Sequence, residues 1–282
     1  MLAILGGLGA AVCWATTTLV ASRAGRLIDP LSLLASVMTV GLVLSAPVAV
    51  AAGVPDALDA SAAGWLALSG ACNIAGLLCA YEALRVGKVG LVAPITSTEG
   101  AVAAVIAVVA GESLSPGAGL SLGAIALGVL LAAIPPDAEA DVRRSHGRAA
   151  VLAGGAALSF GLGLYSTGHV GQELGVAWAV LPPRVVGVAV IAIPLLVLRR
   201  WHLPRAAVKF ALLGGVAEVV GFASYAYGAR HGVAVAAVLA SQFAAIAAVA
   251  GFLLFRERIA PIQVAGVVTI VAGVSLLSAL TA

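Results

Sequence analysis

VGLVAPITSTEGAVAAVIAVVAGESLSPGAGLSLGAIALGV runs from Val89 to Val129, and HGVAVAAVLASQFAAIAAVAGFLLFRERIAPIQVAGVVTIVAGV runs from His231 to Val274. Each stretch holds a small-residue apolar run, a glutamate, a proline four residues later, and a second apolar run with a late Gly-Val. They are copies. A shift of 145 residues aligns the chain without a gap from Trp65/Phe210 to Leu131/Leu276. Gly70 then meets Gly215, Gly76 meets Gly221, Arg85 meets Arg230, Gly87 meets Gly232 and Gly128 meets Gly273. Glu112 meets Glu257 and Pro116 meets Pro261, while inside the apolar runs Asn73 coincides with Glu218 and Ser97 with Gln242. With 34 glycines in the chain, Gly–Gly matches arise easily by chance; the paired Glu-x-x-x-Pro does not.

Working outward, the 282 residues are 62% hydrophobic and 10% charged, with a mean hydropathy of +1.15. That leaves too little polar surface for a water-facing globule. A balance of 15 Lys+Arg against 12 Asp+Glu offers no polyanion-binding face, so nucleic acid is excluded as a partner. The lipid bilayer is the expected solvent, and a helix needs about 20 apolar residues to cross it. Ten such runs are present: Leu2–Ala21, Pro30–Ala52, Ala63–Leu84, Val89–Ala110, Pro116–Ile134, Ala149–Val170, Gly175–Leu198, Ala206–Gly228, Val233–Phe255 and Pro261–Leu280. No basic residue precedes the first, which therefore reads as a span and not a cleaved leader. The chain divides into residues 1–134, a polar linker at 135–148 and residues 149–282. The fold class expected is an all-α membrane protein of ten transmembrane helices in two five-helix repeats. Five is odd, so the second copy enters the membrane inverted, the ground plan of many secondary transporters.

Basic residues gather in the loops after odd-numbered spans, among them Arg23, Arg26, Arg85, Lys88, Arg143, Arg144, Arg199, Arg200, Arg256 and Arg258. By the positive-inside rule those loops are cytoplasmic and both termini lie on the other side of the cell membrane. Cys13, Cys72 and Cys79 sit within apolar runs with no C-x-x-C spacing and read as packing residues, with no metal site. Gly119-Leu-Ser-Leu-Gly123 matches the hydrolase elbow but falls in a span, where its glycines serve better for helix packing. No phosphate-binding loop is present and no cofactor is implied.

The quoted stretches resemble the EamA branch of the drug/metabolite transporter superfamily. The marks are Gly111-Glu112-Ser113 with Gly128-Val129, and Arg256-Glu257-Arg258 with Gln263, Gly266 and Gly273-Val274; Trp14 and Arg184 also match family positions. The resemblance covers nearly the whole chain. It implies a secondary transporter, not an enzyme, exporting a small organic metabolite such as an amino acid by alternating access. It also implies termini in the cytoplasm, against the loop charges. Gly100 and Ala244 stand where family members often carry proline, so no proline kink is expected in the fourth or ninth span. Within transport the alternative is a multidrug or cation exporter. In another class it is an intramembrane enzyme acting on lipid or peptide, which would need a mid-membrane catalytic constellation. A non-transporting subunit is a third reading, and oligomeric state is open.

An ionisable side chain at a helix centre costs roughly 2.5–3.5 kcal/mol to insert, which makes it a functional suspect. Glu99, Arg184 and Glu218 qualify, and the two glutamates are the candidates for proton coupling. A bland alternative is that a glutamate pairs with Arg184 and fixes packing. Asn73, Ser97 and Gln242 offer uncharged polar groups for a substrate, or for helix-to-helix bonds. Trp14, Tyr165 and Tyr225 could line a cavity for apolar or cationic groups, while Tyr81 and Tyr227, near span ends, read as interfacial anchors. His169 reads as a satisfied surface histidine, and Glu112 and Glu257 as structural latches at helix N-termini.

Overall fold

An apolar run immersed in lipid must satisfy its backbone groups internally, which leaves helix as the local solution. The structure, a computed structural model, describes residues 1–24, 27–86, 92, 95–132, 143–255 and 261–281, and every regular element among them is helical. In chain order these are α1 (Leu2–Ala24), α2 (Pro30–Ala52), α3 (Ala60–Val86), α4 (Glu99–Val109), α5 (Pro116–Ala132), α6 (Arg143–Glu173) and α7 (Val176–Gly187). A π-helical turn, Val188–Ala192, joins α7 to α8 (Ile193–Val197). The rest are α9 (Arg205–Ala229), α10 (Val233–Ala240), α11 (Phe243–Phe255) and α12 (Pro261–Thr281). Among the described residues, six stretches are long and apolar enough to cross a membrane: Leu2–Ala21, Pro30–Ala52, Ala60–Ala83, Gly147–Glu173, Val176–Val197 and Arg205–Ala229. Shorter apolar helices cover Glu99–Val109, Pro116–Gly128, Val233–Ala247 and Val264–Gly273.

Local signals explain several boundaries. Asp29 accepts the Ser32 backbone N–H at 2.9 Å, and Pro30 opens α2 where its missing N–H costs nothing. The helix that follows the 135–148 linker starts inside it, at Arg143. Two expectations need correction. The run expected at Val89–Ala110 is interrupted by a turn at Ser97–Thr98, and the run expected at Val233–Phe255 by a turn at Ser241–Gln242. Neither turn itself contains a proline. The Thr98 hydroxyl donates to the Ile95 carbonyl at 2.7 Å and the Ser241 hydroxyl to the Val238 carbonyl at 2.9 Å, so side chains take over carbonyls that a regular helix would have used. The tight turns are closed by Thr98 N–H on Ile95 and Gln242 N–H on Leu239, at 3.2 and 3.3 Å.

Packing follows the repeat. α1 lies along α9, and α3 lies along α6; under the 145-residue shift each pair is the other. Glycines let backbones touch, as where a Cβ on Gly6 would stand 2.5 Å from the Gly228 Cα. The α5–α12 contact is reciprocal. A Cβ on Gly128 would meet the Gly266 carbonyl and Ile270 at 2.8 Å, and one on Gly273 would meet Ile125 at 2.7 Å and the Ser121 carbonyl at 3.3 Å. Residue 121 plus 145 is 266, and 125 plus 145 is 270. Since Gly128 faces Ile270 and Ile125 faces Gly273, the two helices run antiparallel.

Glu112 is a latch, but not onto the helix that follows it. Its carboxylate reaches α10, accepting N–H groups from Val233 at 3.0 Å and Ala234 at 3.2 Å. The positive end of a helix and two unmet donors are satisfied together. Gly232, at φ +144°, makes the approach, a conformation that side chains rarely adopt. Glu257 lies outside the described residues. Loss of a charged cap of this kind costs about 1–2 kcal/mol. Glu112→Ala should therefore melt several degrees below the parent in detergent, with Glu112→Gln between them; identical melting of all three would remove the latch role.

Candidate functional site

Arg184 emerges from the least regular part of the bundle. Pro182 and Pro183 precede it within α7, and the π turn begins four residues later, closed by the Ile193 N–H on the Val188 carbonyl. Prolines remove ladder donors, and π turns concentrate at functional sites. The side chain is 1% exposed. Its Nη2 donates to Glu218 Oε2 of α9 at 3.5 Å, a long contact for an ion pair, and its guanidinium carbon lies 4.2 Å from the centre of the Phe222 ring. Room comes from Gly41 of α2, where a Cβ would stand 3.0 Å from the Arg184 Cγ. Nε and Nη1 are buried with no hydrogen-bond partner among the described residues. A desolvated guanidinium with two unused donors is costly, and an acceptor brought to it would be held strongly.

Glu218 forms part of the wall of a cavity of about 50 Å³ between α1, α2, α3 and α9, together with Thr17, Met38, Leu77, Tyr81 and Gly214. Its charge is close enough to act on Glu99, Tyr81 and Cys13. Trp14, 8% exposed, packs edge-on to Phe222 at 5.2 Å and tilts over Tyr225 at 6.2 Å. Gly221 admits the indole, since a Cβ there would stand 2.8 Å from its Nε1, and that N–H has no partner among the described residues. Phe222 thus joins Trp14 to Arg184, and Glu218 completes the cluster.

The helix breaks carry the other polar candidates. Ser97 is buried in the first turn, and Glu99, 5% exposed, opens α4 directly after it. Gln242 is buried in the second turn, and its Nε2, like Thr96 Oγ1 and Asn73 Oδ1, has no partner among the described residues. The breaks sit one residue out of step with the ungapped 145-residue pairing: Ser97 answers to Ser241, and Thr98 to Gln242.

Two aromatic candidates are engaged elsewhere. Tyr225 is fully buried and donates its hydroxyl to the Leu164 carbonyl of α6 at 2.8 Å. Tyr165 packs against Trp65 at 5.8 Å and His169 at 6.3 Å, near the C-terminal end of α6. His169 is paired with Glu173 at 3.2 Å. Tyr227 is 46% exposed and leans on His231. Tyr81, read from sequence as an interfacial anchor, instead lines the Glu218 cavity. Sequence reading also passed over Phe222, Thr96 and the Ser69–Thr167 hydroxyl bond of 2.7 Å between α3 and α6. The 145-residue pairing of Asn73 with Glu218 was the available clue to polar function on α3 and α9; nothing comparable marks Phe222.

No curated protein matches the sequence. A solved crystal structure of a protein superposes with a TM-score of 0.80 at 16% identity, covering 99% of this chain and 96% of the other, a likeness of fold alone. The model of the EamA-like transporter family matches residues 1–134 and again 147–279. Two matches, meeting across the connector and together spanning nearly every residue, place this multi-pass membrane protein in the EamA-like transporter family.

Proposed function

We propose that this protein is a secondary transporter that exports a small zwitterionic metabolite, such as an amino acid, by alternating access. In this reading ten spans form two inverted five-helix units, residues 1–134 and 149–282, joined through residues 135–148. The antiparallel, reciprocal α5–α12 contact supports that relation. The Arg-rich loops face the cytoplasm, and the cell membrane is the site of action.

The observation that carries the reading is Arg184: buried, held loosely by Glu218, with two guanidinium nitrogens unused. A substrate carboxylate takes those donors in the bidentate geometry that suits guanidinium. A substrate ammonium goes to Glu218, displacing the long ion pair, while Trp14 and Phe222 offer ring faces to its apolar part. Trp14 Nε1, Gln242, Asn73 and Ser97 supply further polar contacts, with Tyr165 and Tyr225 in the walls behind. Glu99 and Glu218 are the groups available to exchange a proton for substrate.

The test is uptake and efflux by purified protein in liposomes, using a panel of amino acids and cationic dyes with and without a pH gradient. Gradient-dependent movement of amino acids and not dyes is expected. Movement of dyes alone would overturn the zwitterion assignment in favour of a cation exporter, and movement of nothing would overturn transport of these classes.

A further inference from the structure

The two-fold pattern of helix packing fails where α6, α7 and α9 meet: these three helices pack pairwise, whereas among the described residues their counterparts α1, α2 and α3 do not. α6 packs against α9, and under the 145-residue shift that pair corresponds to α3 and α1. Yet among the described residues α1 and α3 form no comparable seam; the cavity beside Glu218 lies between them, lined by Thr17, Val20 and Ala21 on one side and Leu77 and Tyr81 on the other. The two places are at opposite ends of the bundle. The cavity uses Gly214 and Glu218, before and at the middle of α9, whereas the seam uses Tyr225, Ala226 and Ala229 near its C-terminus.

The seam is closely made. A Cβ on Gly171 would lie 3.2 Å from the Ala226 carbonyl, and one on Gly168 would lie 3.2 Å from the Ala229 Cβ. The Tyr225 hydroxyl donates to the Leu164 carbonyl at 2.8 Å, and Gln172 Nε2 donates to the Ala229 carbonyl at 2.9 Å. The repeat-equivalent positions have other residues: Arg23 for Gly168, Arg26 for Gly171, Leu27 for Gln172, Ala80 for Tyr225 and Tyr81 for Ala226. Where one end has two glycines, a hydroxyl and an amide, the other has two arginines, a leucine and an alanine. The same contact cannot be rebuilt there.

We propose that the α6–α9 seam is one gate of the transporter, that it is shut in this structure, and that its composition makes the conformer closed at this end the resting state. The proposal rests on the alternating-access reading, in which the seam must part once per cycle. A two-state protein whose gates differ in closing energy spends its time in proportion to that difference. Inverted copies permit both states; the unequal seams choose between them.

Thiol accessibility tests this without substrate. Cys13, Cys72 and Cys79 are first replaced by alanine in the full chain, and single reporters are placed at Ala21, which lines the cavity, and at its repeat-equivalent Ser166, which is fully buried. A water-soluble maleimide should label Ala21→Cys at least about tenfold faster than Ser166→Cys in detergent-purified protein. Adding Gly171→Leu, which wedges the seam, should raise the Ser166→Cys rate by roughly tenfold; Tyr225→Phe, which removes one hydrogen bond, should raise it less. Tyr225→Phe keeps the test decisive if Gly171→Leu does not fold. Equal rates at the two reporters in the parent, or a Ser166→Cys rate unmoved by the seam substitutions, would overturn the gate. Such a result alongside substrate movement in liposomes would leave the transporter reading standing. One-sided labelling that responds to the seam, in a protein that moves none of the panel, would overturn the substrate assignment and keep the gate.

Discussion

Arg184→Gln should lower amino-acid transport in liposomes by about a hundredfold or more, since truncating a buried charged partner costs roughly 3–5 kcal/mol. Part of that loss has a trivial source: Glu218 is left buried without its cation. The double variant Arg184→Met/Glu218→Leu separates the two effects. Replacing both partners by apolar side chains is often neutral or stabilising, so the double variant should recover the melting temperature that Arg184→Gln loses. It should not recover transport. Arg184→Lys retains charge without the planar fork and should fall between parent and glutamine. A double variant that transports like the parent would show that the pair holds helices together and does nothing to substrate.

Glu218→Gln has the second large expected effect. The substitution keeps shape and hydrogen-bonding capacity and removes the exchangeable proton and the charge. Concentrative uptake driven by an outward-directed proton gradient, protons leaving as substrate enters, should disappear, while exchange of labelled for unlabelled substrate without a gradient should persist at a reduced rate. Glu99→Gln provides the comparison, because Glu99 opens α4 within the electrostatic reach of Glu218. If the Glu218 variant retains its full response to pH and the Glu99 variant loses it, the carrier is Glu99. If both respond like the parent, neither carries the proton.

How far the sequence revealed this arrangement depends on the kind of force at each place. Burial in lipid is a composition effect, so the apolar runs located the long apolar helices closely, and α2 was found at Pro30–Ala52 because Asp29 and Pro30 announce its start. Arg184 and Glu218 were legible because ionisable groups in apolar runs are expensive and therefore rare. Phe222 was not, since one more aromatic residue in such a run carries no pattern; its role follows from α7 bringing Arg184 over its face. The helix breaks at Ser97–Thr98 and Ser241–Gln242 were missed for a different reason. Proline was the expected breaker, and here hydroxyl groups bonding back to Ile95 and Val238 stand in its place. Ser and Thr do the same in many unbroken helices, so the signal is ambiguous until neighbours are known. Glu112 showed the character of a cap but not its target, because α10 is remote in sequence and near only after the two halves meet.

The mutual embrace of Gly128 with Ile270 and of Gly273 with Ile125 has a practical corollary for mutagenesis. A saturation scan along α5 should yield a tolerance map that reappears, displaced but recognisable, along α12, because each substitution meets the mirror image of the same neighbour. Where those maps diverge, the ancestral duplicate has taken on duties its twin does not share.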